Sequence, residues 1–282
     1  MSRQAHITLV NGIETSALDI SDRGLAYGDG LFETMRVVKG KIPLFPHHKK
    51  RFEQGVRVLR LGDPEELGRQ FALSVEEAIR SVYNDAVLKM MVTRGKGARG
   101  YPPPALPECN FIAQVFEPMS NDSAKRRNGI TIRMLNYTLG HNPVLAGIKH
   151  LNRLDQVLAS AELDGDPEGL VRDYQGDLIE GTKSNVLLFF SDRVVTPDLS
   201  QCGVEGTLRQ FLIEAASETG LDIEVERVPS NALGEVAGIA MINSVFGCWP
   251  VRKLDDRKLK IDKRCRRIQA YLHEQLGFPD SV

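Results

Sequence analysis

Four places in the chain combine residue types that could do chemistry. The first is Gly147-Ile148-Lys149-His150-Leu151-Asn152-Arg153-Leu154-Asp155-Gln156, which follows the loop formers Gly140-His141-Asn142-Pro143. Leu151, Leu154, Val157, Leu158 and Ala161 recur at helical spacing, so Lys149 is expected at the mouth of an amphipathic helix. A lysine withdrawn from water at such a junction can lose its proton and act as nucleophile or base. Taken alone, Lys149 reads more simply as one of the 36 basic residues. The second place is Leu178-Ile179-Glu180-Gly181-Thr182-Lys183-Ser184-Asn185, an acid among small polar residues between strands. The third is Gly203-Val204-Glu205-Gly206-Thr207, where backbone N–H groups at a helix start could hold a phosphate. The fourth is the pair Asn243-Ser244 at a strand end, able to offer hydroxyl and amide contacts.

The elements that must position these groups mix without strict alternation. Asn11-Gly12 signals a hairpin between short strands within residues 5–20. A glycine-rich polar stretch from Ser21 to Gly30 runs straight into a strand over Leu31 to Val38, as a site wall would. Helices are expected over 46–61 and 64–82, with Phe52, Val56 and Leu59 inward on the first and Leu67, Phe71, Val75 and Ile79 on the second. Strands follow over 86–93 and 110–116. Gly95, Gly97 and Gly100 match the letters of a dinucleotide fingerprint, but Pro102-Pro103-Pro104 stand where the pyrophosphate helix must begin, so that reading fails. Arg94, Lys96 and Arg99 are expected on a mobile basic loop instead. Residues 117–127 lack periodicity and suit a linker. Further strands fall at 129–135, 170–173, 178–180, 186–190, 222–228 and 239–245, and helices over 207–218 and 262–276. The fold class expected is α+β in two domains: 1–117, a linker at 118–127, and 128–282 carrying Lys149.

A formal net charge of −1 gives no reason to expect nucleic acid or an anionic membrane as partner. No apolar run approaches a membrane span, and the N-terminus lacks a signal-peptide core. Cys109, Cys202, Cys248 and Cys265 are scattered, which suggests a reducing cytoplasmic setting without disulfides or a zinc site. His47 and His48 lack a third ligand at metal spacing, so no metal is expected and the pair reads as a solvated helix start. Arg264, Arg266 and Arg267 read as the wet face of the last helix, and Trp249 as core or dimer interface.

A lysine that can form a Schiff base, an acid for a pyridine nitrogen and phosphate-holding segments are what pyridoxal 5'-phosphate requires. In order and spacing these segments resemble the fold-type IV pyridoxal-phosphate enzymes, the class IV aminotransferase superfamily. The likeness runs from Asp22-Arg23-Gly24 to Pro250-Val251. Its aminodeoxychorismate-lyase branch matches best, through Tyr27-Gly28-Asp29-Gly30-Leu31-Phe32-Glu33-Thr34, Arg94-Gly95 with Arg99-Gly100-Tyr101, Ala146 to Leu154, and Asn243-Ser244. D-amino-acid transaminases place a histidine two residues after the loop arginine, where this chain has Tyr101.

The resemblance implies that Lys149 holds the cofactor and shuttles protons, Arg51 binds its phosphate, and Glu180 faces the pyridine nitrogen. Gly206, Thr207 and Leu208 would give backbone contacts to the phosphate, with Asn243 and Ser244 beside them. Leu208 stands where branched-chain transaminases have threonine, so one hydroxyl contact is missing. Lys89 and Arg99 would pair with the two carboxylates of 4-amino-4-deoxychorismate, Tyr27 would join them at the substrate, and Thr34 would protonate the departing group. The implied assembly is a homodimer with the cofactor between the domains, and Tyr27 or Arg99 could serve the neighbouring subunit. The alternative reading is an aminotransferase of D-amino or branched-chain acids.

Overall fold

The computed structural model describes residues 5–80, 82, 84–118 and 122–279. The chain divides into two compact units: Met1–Met119 with Ile148–Asn152, and Ser120–Gly147 with Arg153–Val282.

The first unit is built on an antiparallel sheet. Its elements are β1 (Ile7–Val10), β2 (Ile13–Glu14), α1 (Arg23–Tyr27), β3 (Gly30–Val37), α2 (Phe45–Leu59), α3 (Pro64–Ile79), β4 (Ala86–Thr93) and β5 (Asn110–Phe116). The sheet order is β2-β1-β5-β4-β3. Asn11 and Gly12 turn the first hairpin with φ of 51° and 78°, the left-handed pair that a tight turn between twisted strands demands. Alternation sorts β3 into two faces. Leu31, Glu33, Met35 and Val37 are buried, whereas Phe32, Thr34 and Arg36 on the opposite face are half-buried. Phe52 of α2 stacks on Phe71 of α3 at 4.4 Å between centroids, and Val56, Leu67 and Val75 complete this core. Pro64 opens α3 while the Asp63 carboxylate accepts from Glu66 N–H at 2.8 Å, a proline start with an aspartate cap.

The second unit contains α4 (Ser123–Asn128), β6 (Ile130–Leu139), α5 (Leu154–Ala161), β7 (Gly169–Asp173), β8 (Asp177–Gly181), β9 (Asn185–Phe189), β10 (Val194–Pro197), α6 (Thr207–Glu214), α7 (Ala216–Thr219), β11 (Ile223–Glu226), β12 (Val228–Pro229), β13 (Gly238–Asn243), β14 (Gly247–Leu254), β15 (Arg257–Lys258) and α8 (Lys263–Leu276). Its mixed sheet runs β11-β10-β9-β13-β14-β6-β7-β8-β12, with β15 on β14. Trp249 is fully buried and stacks on Phe246 at 3.8 Å among Val186, Leu188, Met241 and Val251, so its place is the core. The continuous apolar run of β9 fits its central position, buried on both faces.

Several expectations need correction. Lys149 is not at a helix mouth: α5 begins at Leu154, and Lys149 lies in an extended segment whose carbonyl accepts from Phe32 N–H at 2.9 Å. Leu151 N–H donates to Gly30 carbonyl at 2.9 Å, so edge pairing with β3 holds Ile148–Asn152 in the first unit rather than the second. Leu154, Val157 and Leu158, apolar positions of the expected amphipathic helix, are exposed. Within the expected linker 118–127, residues 119–121 lie outside the described residues and α4 occupies 123–127. Arg94 is no mobile loop cation. It is buried, paired with Asp29 at 2.8 Å, and donates to the Leu59 and Arg60 carbonyls that end α2. Arg264, Arg266 and Arg267 are likewise not a free wet face. Arg264 bonds the carbonyls of Phe190 and Arg193, Arg266 those of Arg126 and Arg127, and Arg267 that of Thr219. Carbonyls at helix ends lack intrahelical partners, and guanidinium groups satisfy them. β10 and β14 carry no clear alternation in the sequence and emerge only as sheet partners.

Candidate active site

In the first unit the reactive groups gather on the half-buried face of the β3–β4 ladder. Thr34 and Lys89 are direct cross-strand partners. The ring of Phe32, two residues before Thr34 and on the same face, lies 4.4 Å from Lys149 Nζ and 5.7 Å from Lys89 Nζ. A hydroxyl, an aromatic face and two ammonium groups therefore share one surface, and each lysine gains from the ring quadrupole. Burial lowers the pKa of Lys89, so a carboxylate that supplies the missing counter-charge would be held strongly there. Phe32 was a silent letter of the sequence motif. Only the cross-strand register shows that it supports both lysines.

The opposite, buried face of β3 carries a second cluster. Glu33 accepts from Arg51 Nε at 2.8 Å and Nη2 at 2.5 Å, and from His48 Nδ1 at 2.6 Å. His48 and Arg51 stand on α2 three residues apart, on one helical face. Burial pushes the Glu33 carboxyl up, but Arg51 and His48 outweigh it and hold it at about 2. Burial, joined by the charges of Arg51 and Lys149, lowers the His48 pKa despite Glu33. A neutral His48 must then put its proton on Nδ1, because the carboxylate is acceptor-only. The solvated helix start expected for His48 is overturned: it is fully buried, because Glu33 on the packed face of β3 requires a partner there.

Tyr27 and Arg99 do not join the Phe32 group. Tyr27 is partly exposed, its ring 5.6 Å from that of Tyr101, and Arg99 is an exposed residue on the loop after β4. That loop forms no helix after Gly95, so the phosphate-binding geometry of a dinucleotide fold is absent there among the described residues.

In the second unit, Glu180 and the turn before α6 form one construction. Glu180 is buried on β8, and its Oε2 accepts from Val204 N–H at 2.9 Å. Asn185 of β9 donates Nδ2 to the Val204 carbonyl at 2.9 Å. A Cβ at Gly206 would meet Asn185 Oδ1 at 1.9 Å, so only glycine fits at that cap position. Gly206 precedes Thr207 and Leu208, both buried in the first turn of α6, and no side chain caps that turn. Gly147, with φ of +81°, is pinned to the same turn by bonds with Gly203 carbonyl and Glu205 N–H, each 3.0 Å.

Asn243 ends β13 and donates Nδ2 to the Lys183 carbonyl at 3.1 Å. Its Oδ1 accepts from Val245 and Phe246 N–H at 2.9 and 2.8 Å, which fixes the turn carrying Ser244. Glu168 is buried beneath the neighbouring 182–184 turn and accepts from the Thr182 and Ser184 hydroxyls and from Lys183 N–H at 3.1 Å. Asn185 and Glu168 are the residues missed here. Asn185 closed the acid-bearing stretch in sequence, whereas Glu168 gave no signal beyond a lone acid after Asp166-Pro167.

Each unit by itself carries groups of the kind that pyridoxal 5'-phosphate requires: in the first, the primary amine of Lys149 and the rigidly gripped guanidinium of Arg51; in the second, the buried Glu180 carboxylate that Val204 keeps oriented, the helix start at Thr207 and Leu208 closed to any side chain at Gly206, and the turn hydroxyl of Ser244.

A family model described as Amino-transferase class IV matches residues 30–254. The chain is 30% identical over 272 residues to an aminodeoxychorismate lyase of Vibrio harveyi, across 94% of this chain and 98% of that protein. It is 26% identical over 262 residues to a putative branched-chain-amino-acid aminotransferase of Methanocaldococcus jannaschii, across 92% and 89%. Among solved structures, 4-amino-4-deoxychorismate lyase from Pseudomonas aeruginosa matches with a TM-score of 0.89 at 37% identity, covering 96% of this chain and 100% of that one.

Proposed function

The chain belongs to the Amino-transferase class IV family and is a pyridoxal 5'-phosphate enzyme of fold type IV, and from that premise we propose that it converts 4-amino-4-deoxychorismate to 4-aminobenzoate and pyruvate, a step that serves folate synthesis. The observation that carries this reading is the placement of the Thr34 hydroxyl opposite Lys89, with Lys149 and Lys89 both over Phe32. A bond-breaking step that releases an enolpyruvyl group needs a proton donor and a cation for carboxylate, and this face offers both.

The cofactor, when bound, supplies an electron sink for the charge left on the amine-bearing carbon. Lys149 takes the proton from that carbon. Glu180, held by Val204, keeps a proton at the pyridine nitrogen. Lys89 binds one substrate carboxylate and Arg99, supplied by the neighbouring subunit of the homodimer, the other, and Thr34 gives a proton to the enolpyruvyl oxygen as its bond to the ring breaks. The ring loses one proton and the ether oxygen gains one, so substrate atoms divide fully between aromatic product and pyruvate. Aromatisation drives the cleavage, and the residues' tasks are positioning and proton transfer.

The purified protein should release 4-aminobenzoate and pyruvate in equal amounts from 4-amino-4-deoxychorismate. Failure to do so, together with amino transfer from D-alanine or leucine to 2-oxoglutarate, would overturn the lyase reading. The second reading, an aminotransferase, draws on the Methanocaldococcus relative.

We also propose a homodimer. Leu154, Val157 and Leu158 are 75%, 59% and 52% exposed on α5, and a second copy would remove this apolar face from water. No helix among the described residues is long and apolar enough to cross a membrane, and a cytoplasmic setting is proposed from the free cysteines.

A further inference from the structure

Arg23 is buried at the start of α1 and has no part in the chemistry assigned above. Its guanidinium is spent almost wholly on the backbone of the loop after β4. Nη1 donates to Gly100 carbonyl at 3.1 Å and Pro102 carbonyl at 3.4 Å, and Nη2 to Tyr101 carbonyl at 2.8 Å. Nε donates to Asp29 Oδ2 at 2.9 Å, the same oxygen that accepts from Arg94 Nε at 2.8 Å. These three carbonyls immediately follow Arg99. The loop has no core of its own, since Tyr101 and Leu106 are 83% and 87% exposed. Polar anchors must therefore set its path.

We propose that Arg23 is the positioning residue that fixes Arg99 and Tyr27 for substrate, by gripping the backbone next to one and the ring of the other. Its Cζ lies 4.8 Å from the Tyr27 ring centroid, so the same planar cation supports both. Asp29 anchors this grip to a fixed point, because Arg94 ties Asp29 to the end of α2 through the Leu59 and Arg60 carbonyls. Gly97 shows how closely the loop is fitted to Arg23: a Cβ there would meet Arg23 Cδ at 2.6 Å. The fork geometry matters, since one lysine ammonium cannot serve Asp29 and three carbonyls together. The inference rests on the assignment of Arg99 to a substrate carboxylate.

The test uses the cofactor-loaded enzyme with Arg23→Gln, Arg23→Lys and, should Arg23→Gln not fold, Gly97→Ala, which crowds the same guanidinium. Trypsin nicking after Arg99 should accelerate in Arg23→Gln and in Gly97→Ala. KM for 4-amino-4-deoxychorismate should rise by about tenfold or more while kcat stays within about threefold, the mark of lost binding rather than lost chemistry. Arg23→Lys should restore little of either. In an Arg99→Ala background the Arg23 change should add nothing further to KM, since neighbours acting through one contact are non-additive. Unchanged nicking, or faster nicking with unchanged KM in an enzyme whose Arg99→Ala variant does raise KM, would overturn the proposal. If Arg99→Ala itself leaves KM unchanged, the carboxylate assignment fails instead, and the nicking result alone decides whether Arg23 holds the loop.

Discussion

Glu33 and Arg51 form a buried two-point pair, with Nε and Nη2 of the guanidinium on the two carboxylate oxygens at 2.8 and 2.5 Å. A planar fork gripped at two points cannot swing, so the remaining edge of Arg51 is aimed before any phosphate arrives. His48 adds a third hold on the same carboxylate. Replacing Glu33 by Ala strands a buried guanidinium, and removal of one partner of such a pair costs about 3–5 kcal/mol. The expected outcome is a lower urea midpoint together with weaker retention of pyridoxal 5'-phosphate on dialysis. Unchanged retention in a folded Glu33→Ala protein would refute the aiming role.

The same cluster predicts acid sensitivity. The Glu33 carboxyl falls from 4.5 to about 2 on folding, so its contribution is fully present above pH 4.5 and is lost as pH drops toward 2. Each pKa step is worth about 1.4 kcal/mol, which makes the whole effect on the order of 3 kcal/mol. His48, whose pKa is also lowered, acts in the same direction but earlier. The unfolded chain binds its proton near pH 6.5 while the folded protein resists. Urea unfolding followed from pH 7 to pH 3 should show stability declining below pH 6.5 and more steeply below 4.5, and His48→Gln should flatten the upper part of that curve.

Lys149→Ala should abolish both visible cofactor absorption and turnover, with little change in melting temperature, because its side chain is half-buried over Phe32 rather than in the core. Residual turnover at the wild-type rate would remove Lys149 from the chemistry.

Thr34→Ala should lower the rate of 4-aminobenzoate release by about a hundredfold, the scale of a lost general acid, with KM little altered. Its backbone pairing with Lys89 does not depend on the hydroxyl. An unchanged rate would return Thr34 to the role of an ordinary strand residue.

Glu168→Ala leaves the Thr182 and Ser184 hydroxyls and Lys183 N–H without their shared acceptor. Buried donors left unpaired cost about 1–3 kcal/mol each. Since Lys183 carbonyl is also the anchor for Asn243, the variant should lose both thermal stability and affinity for the cofactor phosphate. A stability loss without any change in affinity would separate Glu168 from the Ser244 turn.

Much of the fold was legible because it is local. The hairpin at Asn11-Gly12, the strand at Ala86–Thr93, and the starts of α3 and α8, capped by Asp63 and Asp262, follow from residues within one turn of each boundary. Lys149, Glu180 and the Gly206 turn could be picked out in the same way, since a glycine closed in by Asn185 or a lone acid among small residues leaves a mark in residue type. Their assignment as one cofactor set came from the resemblance of the whole ordered series to a family.

Tertiary structure alone decided which polar groups share a partner. His48 and the arginines 94, 264, 266 and 267 look like surface charge in sequence, because charge carries no signature of burial. The partner of each is a carboxylate or a carbonyl far along the chain: Glu33 for the buried His48, Asp29 for the buried Arg94, and the ends of α4 and α7 for the half-buried Arg266 and the exposed Arg267. Phe32 likewise became significant only when the β3 register set it beside two lysines from distant segments. Residue type and spacing fix what a group can do chemically. The partner that orients it is a long-range pairing, and that is settled only when the strands and helices bearing both groups have packed.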